Sequence, residues 1–267
     1  MANGLNRAVS ELIHELAKSE SEAVRALRRL AKGVNTFSIA APRAVTRPAL
    51  LAYIAARETY SFGKRVFVAQ PLFEAYTTRC GKNLRTGDKL HWVQGQGDII
   101  VGDDVWIDGK CTFTFASSYA ERPTIEIGSG TGIGNDTEFT IGKRITIGKH
   151  CIISGYTRFF DSNGHPSDPD DRRVLKPVPA DQVRPITLGD DVWIGKGCII
   201  FPGVRIGEGA IVSGGSVVRR HVPPYAVVAG NPAQLVFRLP RSDRAERSEQ
   251  AEPAGQPAGA SLGGDGA

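Results

Sequence analysis

The sequence contains few aromatic residues, a single methionine and no long apolar run. Only 7% of its 267 residues are aromatic, whereas 31 are glycine, a balance that favours a turn-rich architecture over a helical bundle. The longest apolar stretch covers residues 49–56, and a membrane span needs roughly 18 such residues. The first residues also lack the apolar core and cleavage site of a secretory signal. We therefore expect a soluble, globular, cytoplasmic protein.

Cysteine is also scarce, with four residues at positions 80, 111, 151 and 198. None of them forms a CxxC pair, which argues against zinc ribbons and thioredoxin-like motifs. A chain of this length does not need disulfides for stability. The pattern predicts reduced thiols.

The positive charge is concentrated in the N-terminal part of the chain. Residues 1–75 carry eleven Lys and Arg against six Asp and Glu, while the remaining residues carry 22 of each. Such a basic segment could contact an anionic membrane surface or an acidic substrate, or it could be a solvated helix face. No basic run is interleaved with aromatic residues, so we predict no nucleic-acid partner.

The same N-terminal segment has the apolar periodicity of helices. One apolar stripe at helical spacing covers residues 5–32, and a capping box of Ser19 with Glu22 could divide it into two helices. A second helix is predicted from Pro48 to about Gly63.

From residue 99 onward, apolar residues recur every six positions. A helix does not repeat with this period, but a short strand followed by a turn does, and three such hexads close one coil of a prism. The inward-pointing residues are Val101, Ile107, Phe113, Ile127, Ile133, Phe139, Ile141, Ile147, Ile153, Phe159, Leu188, Ile194, Ile200, Ile206, Val212 and Val218.

The position two residues before each repeat residue must also fit inside the prism. It is therefore expected to be small or β-branched, and it explains three of the four cysteines as buried fillers. These positions include Cys111, Cys151, Ile186, Val192, Cys198, Val204, Ala210 and Ser216.

A long interruption of the repeat covers residues 161–185. It contains five prolines and nine charged residues, which cannot fit inside the prism. Long loops in compact repeats are usually functional, and this one carries His165, whose imidazole can accept a proton near neutral pH. We divide the chain into an N-terminal helical segment (1–75), a repeat domain (76–240) and a disordered tail (241–267).

Several sequence segments together resemble a known family. They are HPSDP (165–169), PITLGDDVWIG (185–195), PGVRIG (202–207), GGSVVRRHVPP (214–224) and AGNP (229–232). These segments are similar to those of the hexapeptide-repeat acyltransferases, and most similar to the maltose and galactoside O-acetyltransferase group. The resemblance covers about residues 99–238 and implies a left-handed parallel β-helix, a mainly β fold.

The resemblance also implies an acetyl-CoA-dependent O-acetyltransferase that needs no metal. His165 matches the general base that deprotonates the acceptor hydroxyl, and Asp161 is a candidate carboxylate partner for it. Trp193 matches the indole that packs along the pantetheine arm. The other implied donor-binding residues are Gly195, Lys196, Gly214, Arg219, Arg220 and Arg238.

On the acceptor side, the resemblance implies a carbohydrate, such as a cell-envelope glycan precursor. Asn135 and Asp136 lie near the position of the family's acceptor-contacting asparagine, and Asn163 lies in the histidine loop. Family members form trimers with each active site between two prisms, so we expect a homotrimer. The basic segment could place the enzyme at the inner face of the membrane.

Three alternatives remain open from the residues alone. A sugar N-acetyltransferase would keep the same donor site and use an amine acceptor. A non-catalytic β-helix scaffold would have no need of the His165 loop. A zinc enzyme of the γ-class carbonic anhydrase type would need several imidazoles around one point, and no closely spaced histidine pair is present.

Overall fold

The computed structural model describes residues 10, 11, 14, 21–39, 41–116 and 118–240. Most of the first predicted helix before Ser21 and the whole predicted tail, 241–267, lie outside the described residues. The chain divides into two compact units, residues 1–57 and residues 58–267. Our domain limits at residues 75 and 240 stay a prediction.

The N-terminal part of the described chain is helical. The helices are α1 (Glu22–Thr36), α2 (Arg43–Lys64), a π-helical turn (Arg65–Ala69) and α3 (Gln70–Glu74), and α4 (Pro169–Arg173) follows much later. The second predicted helix is thus confirmed, with a start five residues earlier. No helix among the described residues has both the length and the apolar character to cross a bilayer.

The start of α1 corrects our capping-box prediction. The side chain of Ser21 accepts a hydrogen bond from the backbone N–H of Val24 at 3.3 Å, so Ser21 is the N-cap of this helix. Glu22 is consequently the first helical residue, where its charge favours the helix N-terminus. It does not occupy the third position that a box with Ser19 requires.

Twenty short strands are present in the described residues after α3. In chain order they are β1 (Arg79–Cys80), β2 (Arg85–Thr86), β3 (Trp92–Gln94), β4 (Asp98–Val101), β5 (Trp106–Ile107), β6 (Thr112–Phe115), β7 (Thr124–Ile127), β8 (Gly132–Ile133), β9 (Glu138–Ile141), β10 (Arg144–Ile147), β11 (Ile152–Ile153), β12 (Arg158–Phe160), β13 (Ile186–Leu188), β14 (Trp193–Ile194), β15 (Ile199–Ile200), β16 (Arg205–Ile206), β17 (Ile211–Val212), β18 (Val217–Val218), β19 (Ala226–Gly230) and β20 (Ala233–Arg238).

The strands form three sheets that run along the prism. Sheet 1 has the order β1-β4-β7-β10-β13-β16, sheet 3 consists of β3-β6-β9-β12-β15-β18, and sheet 2 has the order β2-β5-β8-β11-β14-β17-β19-β20. All neighbours are parallel except β19 and β20. Successive strands therefore visit sheets 1, 2 and 3 in turn, and the predicted left-handed parallel β-helix is confirmed.

The core consists of the residues that the hexads predict. Every inward-pointing repeat residue is buried. The small or β-branched residues that we named two positions before the repeat residues are buried as well. The thiols of Cys111, Cys151 and Cys198 are buried fillers, and burial raises the pKa of Cys111 to about 12. The coils begin before the periodicity that we recognised from residue 99, because β1 to β3 form a first coil inside the predicted repeat domain.

Four phenylalanine rings form a column inside the prism. The centroids of Phe73 and Phe113 lie 5.6 Å apart, and Phe139 and Phe159 continue the column at 5.2 Å spacings. Phe73 comes from α3 and covers the N-terminal end of the core. His91 packs edge-on against Phe73, with ring centroids 4.6 Å apart.

His91 is a buried neutral imidazole. Its Nδ1 accepts a hydrogen bond from the backbone N–H of Cys111 at 3.0 Å, and its Nε2 has no hydrogen-bond partner in the described chain. Burial lowers the pKa of His91 from 6.5 to about 4. Between these values the unfolded chain binds a proton that the folded chain excludes, so acid favours unfolding there.

We predict that this histidine makes the fold acid-sensitive. Between pH 6.5 and about 4, the free energy of unfolding should fall by about 3 kcal/mol more in the wild type than in His91→Asn. The asparagine can still accept the Cys111 N–H but cannot titrate. Denaturant unfolding across this pH range measures the difference, with the exposed His150→Asn as the control. Equal pH dependence in wild type and His91→Asn would contradict the prediction.

Candidate functional site

Two edges of the prism carry the candidate site residues. The loop edge consists of the turns between sheet 3 and sheet 1, namely residues 116–123, 142–143, 161–185, 201–204 and 219–221. The lysine edge consists of the turns between sheet 2 and sheet 3, namely residues 134–137, 154–157, 195–198 and 213–216. Trp193 lies on the outer face of sheet 2, and in the sequence it falls between the 161–185 turn of the loop edge and the 195–198 turn of the lysine edge.

The base of the long loop is fixed by the fully buried carboxylate of Asp161. One oxygen accepts the backbone N–H of Gly142 at 2.6 Å, and the other accepts those of Lys143 at 2.7 Å and Arg144 at 3.0 Å. Burial raises the pKa of Asp161, and these backbone hydrogen bonds oppose the rise. Asp161 thus joins the start of the loop to the preceding turn of the loop edge.

These hydrogen bonds bear on the expected partnership of Asp161 with His165. Both carboxylate oxygens are occupied by backbone N–H groups, and the imidazole of His165 is not among their partners. The geometry assigns Asp161 a structural role in the loop. Its proposed catalytic role stays a prediction that these contacts do not support.

The rest of the loop is held by a second insertion on the same edge. The Tyr119 hydroxyl accepts the backbone N–H of Val178 at 2.9 Å, and the ammonium of Lys143 donates to the carbonyl of Ala180 at 2.6 Å. Val178 and Val183 are buried. These contacts offset the conformational entropy that opposes a single ordered conformation in a loop of this length.

His165 is exposed and lies near the start of this anchored loop. Its side chain makes no hydrogen bond within the described residues, whereas its neighbour Pro166 is buried. The guanidinium of Arg172 donates to the carbonyls of Pro166 at 3.1 Å and Ser167 at 2.6 Å. The backbone beside His165 is therefore fixed while the imidazole is left available to a ligand. Asn163, two residues earlier, is also exposed.

The nearby Asp168 is committed to another contact. Its carboxylate accepts the backbone N–H groups of Asp170 at 2.7 Å and Asp171 at 3.2 Å, so it is the N-cap of α4.

Trp193 and Trp106 occupy equivalent places in two near-identical GDDVWI segments. The first aspartate of each segment, Asp103 or Asp190, accepts a backbone N–H from the previous coil at 2.7 Å. The indole of Trp106 lies over Gly132, where any Cβ would collide with it. The strand neighbours of Trp193 are Ile152 and Ile211, and its side chain is half exposed. Among the described glycines, none gives the indole of Trp193 a packing position like the one that Gly132 gives Trp106.

The lysine edge brings five of the predicted residues into one stack. The backbone N–H of Gly215 donates to the carbonyl of Lys196 at 2.8 Å, and this hydrogen bond joins the turns 195–198 and 213–216. A Cβ on Gly195 would collide with the backbone nitrogen of Gly214, so the turns approach closely because both residues are glycine. The five residues are Asn135, Asp136, Gly195, Lys196 and Gly214.

Tyr156 belongs to the lysine edge and was missed by our sequence reasoning. The ammonium of Lys196 lies 4.8 Å from the centroid of the Tyr156 ring. The backbone N–H of Tyr156 donates to the carbonyl of Asn135 at 2.9 Å. Tyr156 has a positive φ of 62°, which is unusual for a bulky residue. The equivalent turn positions hold small or polar residues, so an aromatic residue at this place was the sequence signal that could have identified Tyr156.

Arg219 and Arg220 line a cavity of about 460 Å³ at the C-terminal end of the prism. The guanidinium of Arg219 lies 4.2 Å from the ring centroid of Phe201, which orients it on the loop edge. Arg238 does not line this cavity, because it lies at the opposite end of β20 from the turn that does. The remaining lining residues are Val218, His221, Val222, Pro223, Val228, Asn231, Pro232, Ala233, Gln234 and Leu235.

Apart from Trp193 on sheet 2 and Arg238 in β20, the predicted residues fall into two groups within one chain. His165, Arg219 and Arg220 lie on the loop edge, and the Asn135–Lys196 stack lies on the lysine edge, with sheet 3 between them. Among the residues that the structure describes, no group of three or more His, Cys, Asp or Glu side chains could hold a metal ion.

We predict that Tyr119 holds the histidine loop in place. Tyr119→Phe removes the acceptor for Val178 and should accelerate cleavage of residues 161–185 in limited proteolysis several-fold, with a loss of stability of only about 1 kcal/mol. Asp161→Asn leaves buried N–H groups without an acceptor and should cost more, about 1–3 kcal/mol. The control is Tyr76→Phe, at an exposed tyrosine. Unchanged cleavage rates in both loop variants would contradict this anchoring.

The chain is similar to known proteins in sequence and in fold. Residues 185–220 match the model of the bacterial transferase hexapeptide (six repeats) family. A Saccharomyces cerevisiae protein that bears the name of an acetyltransferase is 34% identical over 139 residues, which cover 51% of this chain and 68% of that protein.

Two further comparisons agree with these. The galactoside O-acetyltransferase of Escherichia coli K12 is 28% identical over 144 residues, covering 54% of this chain and 66% of that protein. The crystal structure of AntD, an N-acyltransferase from Bacillus cereus in complex with dTDP and 3-hydroxybutyryl-CoA, shares the fold with a TM-score of 0.52. It is 24% identical and covers 68% of this chain and 92% of that one.

The sequence relatives match little more than half of this chain and about two thirds of their own length. The residues matched by the family model, 185–220, include strands β13 to β18 of the prism. The chain belongs to the hexapeptide-repeat acyltransferases, near the maltose and galactoside O-acetyltransferase group.

Proposed function

We propose that the protein is an acetyl-CoA-dependent O-acetyltransferase that acts on a hydroxyl of a carbohydrate, such as a cell-envelope glycan precursor. Acyl transfer is the activity of its family, and relatives named galactoside O-acetyltransferase support acetyl-CoA as the donor and a sugar as the acceptor. The observation that carries the finer proposal is His165. It is an exposed imidazole with no hydrogen-bond partner among the described residues, on a loop whose backbone is fixed on both sides.

His165 acts as the general base in this proposal. Its neutral imidazole accepts the proton of the acceptor hydroxyl as the oxygen attacks the carbonyl carbon of the acetyl thioester. The tetrahedral intermediate then collapses, the carbon–sulfur bond breaks, and the leaving sulfur receives the proton from the imidazolium. The products are the acetyl ester and CoA thiol, and His165 is neutral again.

The donor is held along its length by groups of different chemistry. The half-exposed indole of Trp193 offers an apolar surface to the pantetheine arm. The adjacent guanidinium groups of Arg219 and Arg220 suit the phosphates, because arginine binds phosphate oxygens through paired N–H donors. Lys196 is a further cation for the donor, and its position is supported by the ring of Tyr156.

A complete site requires a neighbouring copy of the chain. His165 lies on the loop edge, whereas Asn135, Asp136 and Lys196 lie on the lysine edge. We infer a homotrimer in which the loop edge of one prism faces the lysine edge of the next. Such a head-to-tail arrangement closes into a ring, so each of the three sites uses both edges.

The first test separates donor binding from chemistry. His165→Ala should lower kcat about 10²–10⁴-fold while calorimetry still detects acetyl-CoA binding. Trp193→Ala and an Arg219→Ala/Arg220→Ala double variant should weaken that binding. Trp106→Ala is the matched control, because its indole belongs to the same motif on the same sheet. A folded wild type that does not bind acetyl-CoA would leave only the scaffold alternative.

The acceptor follows from a panel of sugars with either hydroxyl or amino groups. Ester products support the O-acetyltransferase, whereas amide products would establish the N-acetyltransferase alternative and leave the donor site intact.

The second test concerns the shared site. Mixed and reassembled trimers of His165→Ala and Lys196→Ala, each inactive or weakly active alone, should regain activity up to about a quarter of the wild-type value, because that share of random interfaces has both residues intact. Each variant reassembled alone is the control. No recovery from verified mixed trimers would contradict a site shared between copies.

A further inference from the structure

The most strongly patterned surface outside the proposed site is helix α1, Glu22–Thr36. At the 100° step of an α-helix its residues separate into two faces. The basic face carries Arg25, Arg28, Arg29 and Lys32, and the apolar face carries Val24, Leu27, Leu30 and Val34 together with Ala23 and Ala31. We call these the basic face and the apolar face of α1.

The apolar face is not used for packing within the described chain. No residue of α1 is buried there. Leu27, Leu30 and Val34 are 59%, 68% and 75% exposed, and Phe37 directly after the helix is 77% exposed. Together Leu30, Gly33, Val34 and Phe37 line an open apolar hollow beside Arg29. Exposed apolar surface of this kind is typical of an interaction site.

The charge on the other face indicates what the partner is. The four cations lie within residues 25–32 of the helix, and the one acidic residue of α1, Glu22, lies at its N-terminus. A helix with a continuous apolar face and a continuous basic face fits an interface that is apolar on one side and anionic on the other. A bilayer surface with anionic lipid has both properties, since cations reach the headgroups while apolar side chains enter the acyl boundary.

Helix α2 adds apolar surface to the same unit of the chain. Between Arg47 and Arg57 it carries an apolar run, and Leu50, Leu51 and Tyr53 within that run are exposed. The excess of positive charge in the chain also belongs to its first 75 residues, whereas the remainder is neutral. A membrane surface would therefore attract this segment and not the β-helix.

We propose that α1 is a membrane-surface helix that binds the enzyme to an anionic leaflet, with its axis parallel to the bilayer. This proposal does not depend on the acetyltransferase reaction. It assigns the basic segment a role in location, and it places the enzyme beside acceptors that are membrane-bound.

The test is co-flotation of the full chain with vesicles. The wild type should float with equimolar phosphatidylcholine and phosphatidylglycerol and stay at the bottom of the gradient with phosphatidylcholine alone. Arg25→Gln/Arg29→Gln/Lys32→Gln should bind about a hundredfold more weakly, at about fivefold for each cation. Leu27→Glu/Leu30→Glu should abolish flotation, because it places carboxylates on the apolar face, and Leu27→Gln/Leu30→Gln, which keeps the net charge of the wild type, should abolish it as well.

The matched control is Arg79→Gln/Lys82→Gln/Lys149→Gln. It removes three exposed cations of the β-helix and changes the net charge by the same amount. It should float like the wild type. Equal weakening in both triple variants would overturn the proposal, because binding would then reflect net charge alone. Circular dichroism and the oligomeric state of each variant establish that the β-helix is intact.

Two other outcomes would also overturn it. A wild type that binds neither vesicle has no membrane-surface helix. If Leu27→Glu/Leu30→Glu instead lowers the oligomeric state while flotation is unchanged, a second copy of the chain covers the apolar face.

Discussion

The structure depends on a steric constraint inside a narrow prism. Parallel hydrogen bonds fix the spacing of successive coils at about 4.8 Å, and every coil must fill the same cross-section with its inward side chains. Large residues such as Phe113, Phe139 and Phe159 can therefore only stack on one another, as their 5.2 Å centroid spacings show. The slot before each repeat residue accepts only a small or β-branched side chain, which is why three thiols are buried there.

This constraint also decides where additional chain can be placed. A coil cannot absorb extra residues, so an insertion has to leave the prism at a turn. The two largest insertions, residues 116–123 and 161–185, leave at the same edge and bind each other through Tyr119 and Val178. The exposed imidazole of His165 is thus presented by a loop that is long enough to reach outward and well enough anchored to hold one position. The buried carboxylate of Asp161 serves this arrangement through backbone contacts.

The sequence allowed the repeat to be predicted well, because the hexad rule is local and almost every inward residue obeys it. The hexads of the first coil were not recognised within the predicted repeat domain, since Leu84 and Thr86 carry the pattern too weakly and His91 occupies an inward place. The environment of Asp161 could not be predicted either, because its three donors come from a turn that precedes it by 17 to 19 residues. The division of the site between two edges follows from which sheet each turn connects. Assigning a turn to an edge requires counting the coils along the sequence, and the insertions make that count difficult.

The last strand has a consequence for the whole solenoid. A parallel β-helix has open ends, and each end exposes strand edges onto which another prism could add, as in a growing filament. In sheet 2 the C-terminal end is closed by β20, which runs antiparallel to β19 and so reverses the direction of the edge. At the opposite end, the ring of Phe73 covers the core. The C-terminal end of sheet 2 therefore offers no parallel edge on which the coil of another prism could continue the solenoid.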